Sequence, residues 1–203
     1  MKKVTLIFAA AFVMLFASNA QAQLGFNFGY APQTTTVSLK STSSHSDMTG
    51  LFAGVNYNMA LSSGLGLSIG VDGRYNFSSS TTTLATVKET QLLIDVPILL
   101  NIGLTLAEKM TLTLFAGPTI SYALKGNTAT DVLNTDNIIN ADWYGENSNN
   151  KQLDILATAG VSLRFTDLRF FGGYRLGLLD LDARDNVKTN TSGLFFGVGY
   201  VLN

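Results

Sequence analysis

The chain has 203 residues, of which 46% are apolar, only 13% are charged and 19 are glycine. An ordinary soluble domain carries about 25% charged residues, so water is not this chain's only solvent. A formal net charge of −1 leaves no basic field for nucleic acid, and the absence of cysteine excludes disulfides, thiolate metal sites and cysteine nucleophiles.

The first element is an export signal. Lys2 and Lys3 form a positive start, Val4 to Ala17 an apolar run, and Ala20-Gln21-Ala22 a small-x-small cleavage site. The run is shorter than the roughly 20 residues a spanning helix needs. Residues 1–22 therefore read as a cleaved signal peptide and residues 23–203 as the mature domain, with 11 basic and 14 acidic groups.

From there on, period-2 alternation marks eight strands. Leu24, Phe26, Phe28 and Tyr30 alternate with small or polar residues in the first. Leu51 to Leu61 form the second, with Phe52, Gly54, Asn56 and Asn58 on the opposite register. In the third, Leu65, Leu67, Ile69, Val71, Tyr75 and Phe77 oppose Gly66, Ser68, Gly70, Asp72, Arg74 and Asn76. Gly73 interrupts the apolar side and predicts a bend or bulge. The fourth sets Leu92 to Leu104 against Gln91, Asp95 and Asn101, and the fifth sets Met110 to Tyr122 against Thr111, Thr113, Thr119 and Ser121. Pro97 and Pro118 each remove a ladder donor, which predicts a local bulge or bend. The sixth to eighth follow over Leu153–Phe165, Leu168–Leu178 and Leu194–Leu202, with Asp154, Arg164, Arg169 and Arg175 on the polar register.

Two kinds of connection alternate. Ser62-Ser63-Gly64, Ala107-Glu108-Lys109 and Thr166-Asp167 are tight hairpin turns, whereas Ser41 to Met48, Ser78 to Val87, Lys125 to Lys151 and Ala183 to Asn190 read as long polar loops. Short turns and both termini thus fall at one end, as in outer-membrane barrels.

The polar register decides which face is inside. It carries glycine, serine, threonine and asparagine with few charges, which suits the crowded lumen of eight strands rather than a solvated surface. The apolar register is nearly free of charge over more than the 9–11 residues that cross a bilayer. Aromatics fall near its ends, Phe77 and Tyr122 by the loops and Phe165, Phe170 and Tyr200 by the turns, in the positions of interfacial girdles. The expectation is an all-β fold: an eight-stranded antiparallel up-and-down transmembrane β-barrel in the bacterial outer membrane.

The runs QLLIDVPILLNIGL and LTLFAGPTISYAL, followed by LDILATAGVSLRF and LRFFGGYRLGLLDL, resemble the PorT-like outer-membrane β-barrel family. The resemblance spans most of the mature chain and implies a small barrel of a Gram-negative bacterium, most members of which have no assigned activity. The end GYVLN departs from the terminal aromatic of many such barrels, with Tyr200 and Leu202 as the nearest substitutes.

Candidate chemistry is sparse. Asp72, Arg74, Asp95, Asp154, Arg164, Arg169 and Arg175 share the polar register and are expected to form a structural charge network, since buried charges must be paired; an ion path or small-ligand site is the alternative. Arg164 and Arg169 should face each other across the Thr166-Asp167 turn, and the terminal carboxylate of Asn203 is the anion expected to serve them. His45 lies among Ser43, Ser44, Ser46 and Asp47, the residue types of a hydrolase triad, yet adjacent loop residues seldom meet correctly, so it reads as solvated. Trp143 and Tyr144 are a candidate contact site in the 125–151 loop, or a cap on the barrel mouth. No calcium-loop, zinc or phosphate-loop spacing occurs, so no catalytic residue, cofactor or metal is assigned. Outer-membrane lipid (lipopolysaccharide and phospholipid), the periplasmic chaperones and barrel-assembly machinery, and a surface partner on the 125–151 loop are the expected partners. A non-enzymatic structural or surface role leads, with a lipid A-modifying enzyme, a narrow pore, or a part in secretion or envelope assembly as alternatives.

Overall fold

The computed structural model describes residues 23–39, 42–132, 138–144, 148–184 and 186–202. Residues 1–22, expected to be a signal peptide, and Asn203, whose carboxylate was expected to serve Arg164 and Arg169, lie outside the described residues. Among the described residues ten strands form one antiparallel sheet: β1 (Gln23–Tyr30), β2 (Gln33–Leu39), β3 (Thr42–Ser62), β4 (Leu65–Thr81), β5 (Ala85–Ala107), β6 (Met110–Val132), β7 (Ile138–Asp142), β8 (Leu153–Phe165), β9 (Leu168–Gly177) and β10 (Val187–Leu202).

β1 and β2 are one barrel strand. Both pair with β3 on one side and β10 on the other, in a register that continues unchanged across Ala31-Pro32. Pro32 has no amide hydrogen to give, and the chain stays anchored there by Ala31 N, which donates to Gly50 O at 2.8 Å. β10 also pairs with β9, so the ring closes with eight staves, each paired on both sides. β7 stands outside the ring and pairs only with the outer end of β6.

The barrel is inside out relative to a soluble sheet. Along β4, Asp72, Arg74 and Asn76 are buried while Val71, Tyr75 and Phe77 are 39%, 46% and 39% exposed. Asn76, Asp95 and Thr119 are completely inaccessible. The apolar faces of all eight staves point outward, which is stable only against lipid.

The strands outrun the membrane. β5 and β6 have 23 residues each. At ~3.3 Å per residue that is roughly 75 Å of strand, or about 50 Å of height at ~45° tilt, against a hydrocarbon core of about 30 Å. This corrects the loop assignments. Most of Ser41 to Met48 belongs to β3, Ser78 to Thr81 to β4, and Lys125 to Val132 to β6, so the outer connections are extended hairpins. Above the bilayer both faces of a strand meet water, and the hydropathic alternation that marks a strand disappears while the backbone ladder continues.

Two local expectations change as well. Gly73 pairs in register with Ala53 and Ile94 without a bulge. A Cβ there would meet only Ala53 O at 3.9 Å, so the position is simply open toward lipid. Pro97 and Pro118 interrupt the ladders at Gly70–Val71 and Ile98–Leu99, and the register on either side is the same. The true irregularities lie between Leu92 and Leu93, Ala60 and Ser62, and Thr105 and Ala107. At the short-turn end, Gly64 (φ 80°) and Thr166 (φ 57°) take the left-handed conformation that the tight turns need.

Candidate functional site

Chemistry-bearing side chains converge chiefly in the lumen, which is layered from the outer mouth inward. Alternation along β2, β4, β5, β6 and β9 points Gln33, Arg74, Asn76, Gln91, Asp95, Ser121 and Arg175 at a common axis. Asp95 sits at the centre. Its carboxylate accepts from Arg74 Nε at 2.9 Å, Arg175 Nη1 at 2.9 Å and Ser121 Oγ at 2.6 Å. Arg74 Nη1 also donates to Gln33 Oε1 at 2.6 Å, and Asn76 Nδ2 bridges Gln33 and Gln91 at 3.1 Å each. Two guanidiniums on one carboxylate leave an excess positive charge. Arg175 spreads part of it over aromatic faces, lying 4.6 Å from the Phe195 ring centre and 5.6 Å from that of Phe52.

Above this cluster Trp143 and Tyr144 lie over the mouth. Gln91 Nε2 donates to the Tyr144 hydroxyl at 2.7 Å, and Trp143 Nε1 donates to Thr128 Oγ1 at 2.6 Å. The two rings meet edge to face with centres 6.4 Å apart. Tyr144 is therefore tied to the lumen; burial raises the pKa of its hydroxyl.

Below the cluster lies a layer of inward phenylalanines. Phe52, Phe171, Phe195 and Phe115 touch in succession, with ring centres 6.1 to 6.4 Å apart. Beneath them the lumen widens into a cavity of about 660 Å³ at the short-turn end, walled by glycine, serine and threonine on β4–β6 and by asparagine and arginine opposite.

The seven lumen charges expected from the sequence do not form one network. Arg74, Asp95 and Arg175 come together. Asp154 stands apart and accepts from Thr191 Oγ1 at 2.9 Å. Asp72, directly opposite Asp95 in the β4–β5 ladder, has an Oδ1 with no hydrogen-bond donor. Arg164 and Arg169 do face each other across β8 and β9. Arg164 donates to Thr166 O and Gln23 Oε1, both at 2.6 Å, while Arg169 is held by Asn27 Oδ1 at 2.7 Å and lies 5.1 Å over Phe171. The anion expected between them lies outside the described residues.

His45 is on a strand rather than in a loop. Its Nδ1 is 3.0 Å from Thr36 Oγ1, and Asp47 accepts from Thr34 Oγ1 at 2.6 Å, so the Ser-His-Asp types pair across to β2 and not with one another. The phenylalanine layer was missed from sequence because Phe115, Phe171 and Phe195 break the apolar-out rule; register parity with Phe52 is the signal that finds them. A second feature without a sequence signal is the β9–β10 connection, where Asp182 takes a bidentate pair from Arg184 at 2.9 and 2.7 Å and Asp180 accepts from the Thr189 and Asp182 amides. The Arg184 hydrogen bonds hold the Asp182 carboxyl down at about 2.

The family model described as "Outer membrane protein beta-barrel domain" matches residues 7–201. The chain belongs to this family. As an outer membrane β-barrel protein it resides in the bacterial outer membrane, in contact with its lipids. Similar solved structures include Ail, the attachment invasion locus protein of Yersinia pestis, at 13% identity over 90% of this chain and 100% of that one, with a TM-score of 0.48. Neisserial surface protein A is similar at 13% identity over 86% and 96%, TM-score 0.43, and the outer membrane enzyme PagL at 9% over 82% and 97%, TM-score 0.40. No curated protein matches the chain.

Proposed function

We propose that this outer-membrane barrel is a sealed, non-enzymatic scaffold whose extended outer hairpins make contacts at the cell surface. One observation carries the reading: Asp95 is completely inaccessible and bonded to two arginines and a serine that reach it from three other staves, beneath a tied-down Tyr144. A lumen blocked by a bonded charge cluster supports presentation rather than transport. The separate pairing of His45 and Asp47 with β2 favours no hydrolase. Within the family, the QLLIDVPILLNIGL and LTLFAGPTISYAL runs support the finer PorT-like placement, and the β6–β7 hairpin is the surface we assign to a partner. Two measurements test this. Purified protein in planar bilayers should give no discrete conductance steps, and reproducible steps would reject the seal. Pull-down from outer membranes should recover a partner with the intact protein and lose it when residues 127–150 are deleted; the same recovery by both proteins would reject the hairpin as the contact.

A further inference from the structure

The inner cavity has the properties of a binding site, and nothing in the sealing role uses it. Its volume of about 660 Å³ falls inside the roughly 300–1,000 Å³ of small-molecule sites. It opens at the short-turn end, so its access is from the periplasm. The space is built in on one side: Gly66, Ser68 and Gly70 on β4 stand where larger inward side chains would fill it.

The lining has a consistent chemistry. Side-chain amides of Gln23, Asn27, Asn56, Asn58 and Asn101 surround the cavity, and phenylalanine faces form its floor. Four of the residues that wall it hold a buried polar atom with no hydrogen-bond partner: Asn56 Nδ2, Arg169 Nε, Arg175 Nε and Asp72 Oδ1. Unpartnered buried polar atoms cost of order 1–3 kcal/mol each, and among the described residues only Asn76 Oδ1 and Asp154 Oδ1 share that state away from this cavity. Three donors and an acceptor thus sit within the wall of one space, just beneath its accessible surface, and meet a ligand as their side chains turn toward it.

The groups they call for must both accept and donate. A free anion would satisfy the arginines and be repelled by Asp72; a cation would do the reverse. A hydroxyl does both, and the C–H faces of a sugar ring pack against phenylalanine. We infer that the inner vestibule binds a saccharide of one or two rings, entering from the periplasm, with hydroxyls on Asn56, Asp72 and Arg169 and a ring face on the phenylalanine floor. The site is independent of the outer hairpins.

The test is a titration of the full mature barrel in lipid nanodiscs, followed by amide NMR, with N,N′-diacetylchitobiose, sucrose and trehalose as separate probes and glutamate and inorganic phosphate as anionic controls. Saturable shifts at Asn56, Asp72, Arg169 and Phe171 with at least one sugar are expected. Asn56→Ala should weaken that sugar about tenfold, as for the loss of a buried hydrogen bond. Thr113→Trp, which fills the cavity from the β6 wall without touching the polar groups, should abolish binding and keeps the test valid if Asn56→Ala fails to fold. Absence of saturable shifts with all three sugars, shifts confined to the outer hairpins, or saturation by the anions alone would each overturn the proposal.

Discussion

The outer and inner halves of this lumen are made from the same eight staves and the same residue types, yet they are finished differently. In the outer half, long polar side chains on β2, β4, β5 and β9 gather around Asp95 and bond one another: Arg74, Arg175, Gln33, Asn76 and Gln91 form one connected set in which only Arg175 Nε and Asn76 Oδ1 lack a partner. In the inner half, glycine and serine on β4 face asparagine and arginine on the opposite wall, and the space between stays open. The contrast teaches that a narrow barrel is not plugged by its strand number alone. Closure requires long side chains in matching layers on facing strands, and one stave of small residues is enough to undo it.

The largest effect expected from breaking this contrast is at its centre. Asp95→Ala leaves two guanidiniums buried without their anion, which costs about 3–5 kcal/mol. Denaturant unfolding from lipid vesicles should show that loss, and the same variant in planar bilayers should begin to conduct as the two arginines repel. By comparison, Asn101→Ala in the inner half, which gives up a 2.6 Å bond to Ser68, should cost no more than about 1 kcal/mol. Equal losses at the two positions would mean that the halves do not differ energetically. A smaller effect is expected at the mouth. Tyr144→Phe removes the acceptor of the 2.7 Å bond from Gln91 and should loosen the cap by about 1 kcal/mol, read as faster hydrogen exchange at Trp143 and Tyr144 with the barrel ladders unchanged.

The smallest effect is a pH response outside the lumen. The folded value of Asp182, about 2, lies below the ordinary 3.8 because Arg184 bonds its carboxylate. Its contribution is therefore complete above about pH 4 and is lost as pH falls through 2. The Arg184 amide, which donates to Asp182 Oδ1 at 2.9 Å, should report this with a midpoint near 2 in NMR. Asp182→Asn should flatten the response, and an unchanged titration would assign it elsewhere.

Much of the architecture was legible in the sequence because the bilayer imposes one rule on every stave. Val71 and Asp72 are adjacent in the chain and could be assigned to lipid and lumen from alternation alone. The ends of the staves were not legible: His45 and Lys88 sit on strands whose two faces both meet water, so no hydropathic period marks them. Contacts within the lumen were harder still. Arg74 bonds Gln33 across 41 positions and Arg175 reaches Asp95 across 80, and such pairs depend on the stagger of the closed ring rather than on any local pattern. Asp72 shows the limit, sharing a rung with Asp95 and yet taking no part in its ion pairs.

The rung that joins Gly29 of β1 to Gly197 of β10 lies on the seam where the two ends of the chain meet. A methyl group on Gly29 would come within 2.6 Å of the Phe52 ring, and one on Gly197 within 2.8 Å of the Phe171 ring. The two backbones can zip together only because neither carries a side chain into the phenylalanine layer. A substitution as slight as alanine at either glycine would therefore wedge the cylinder ajar along its closing line.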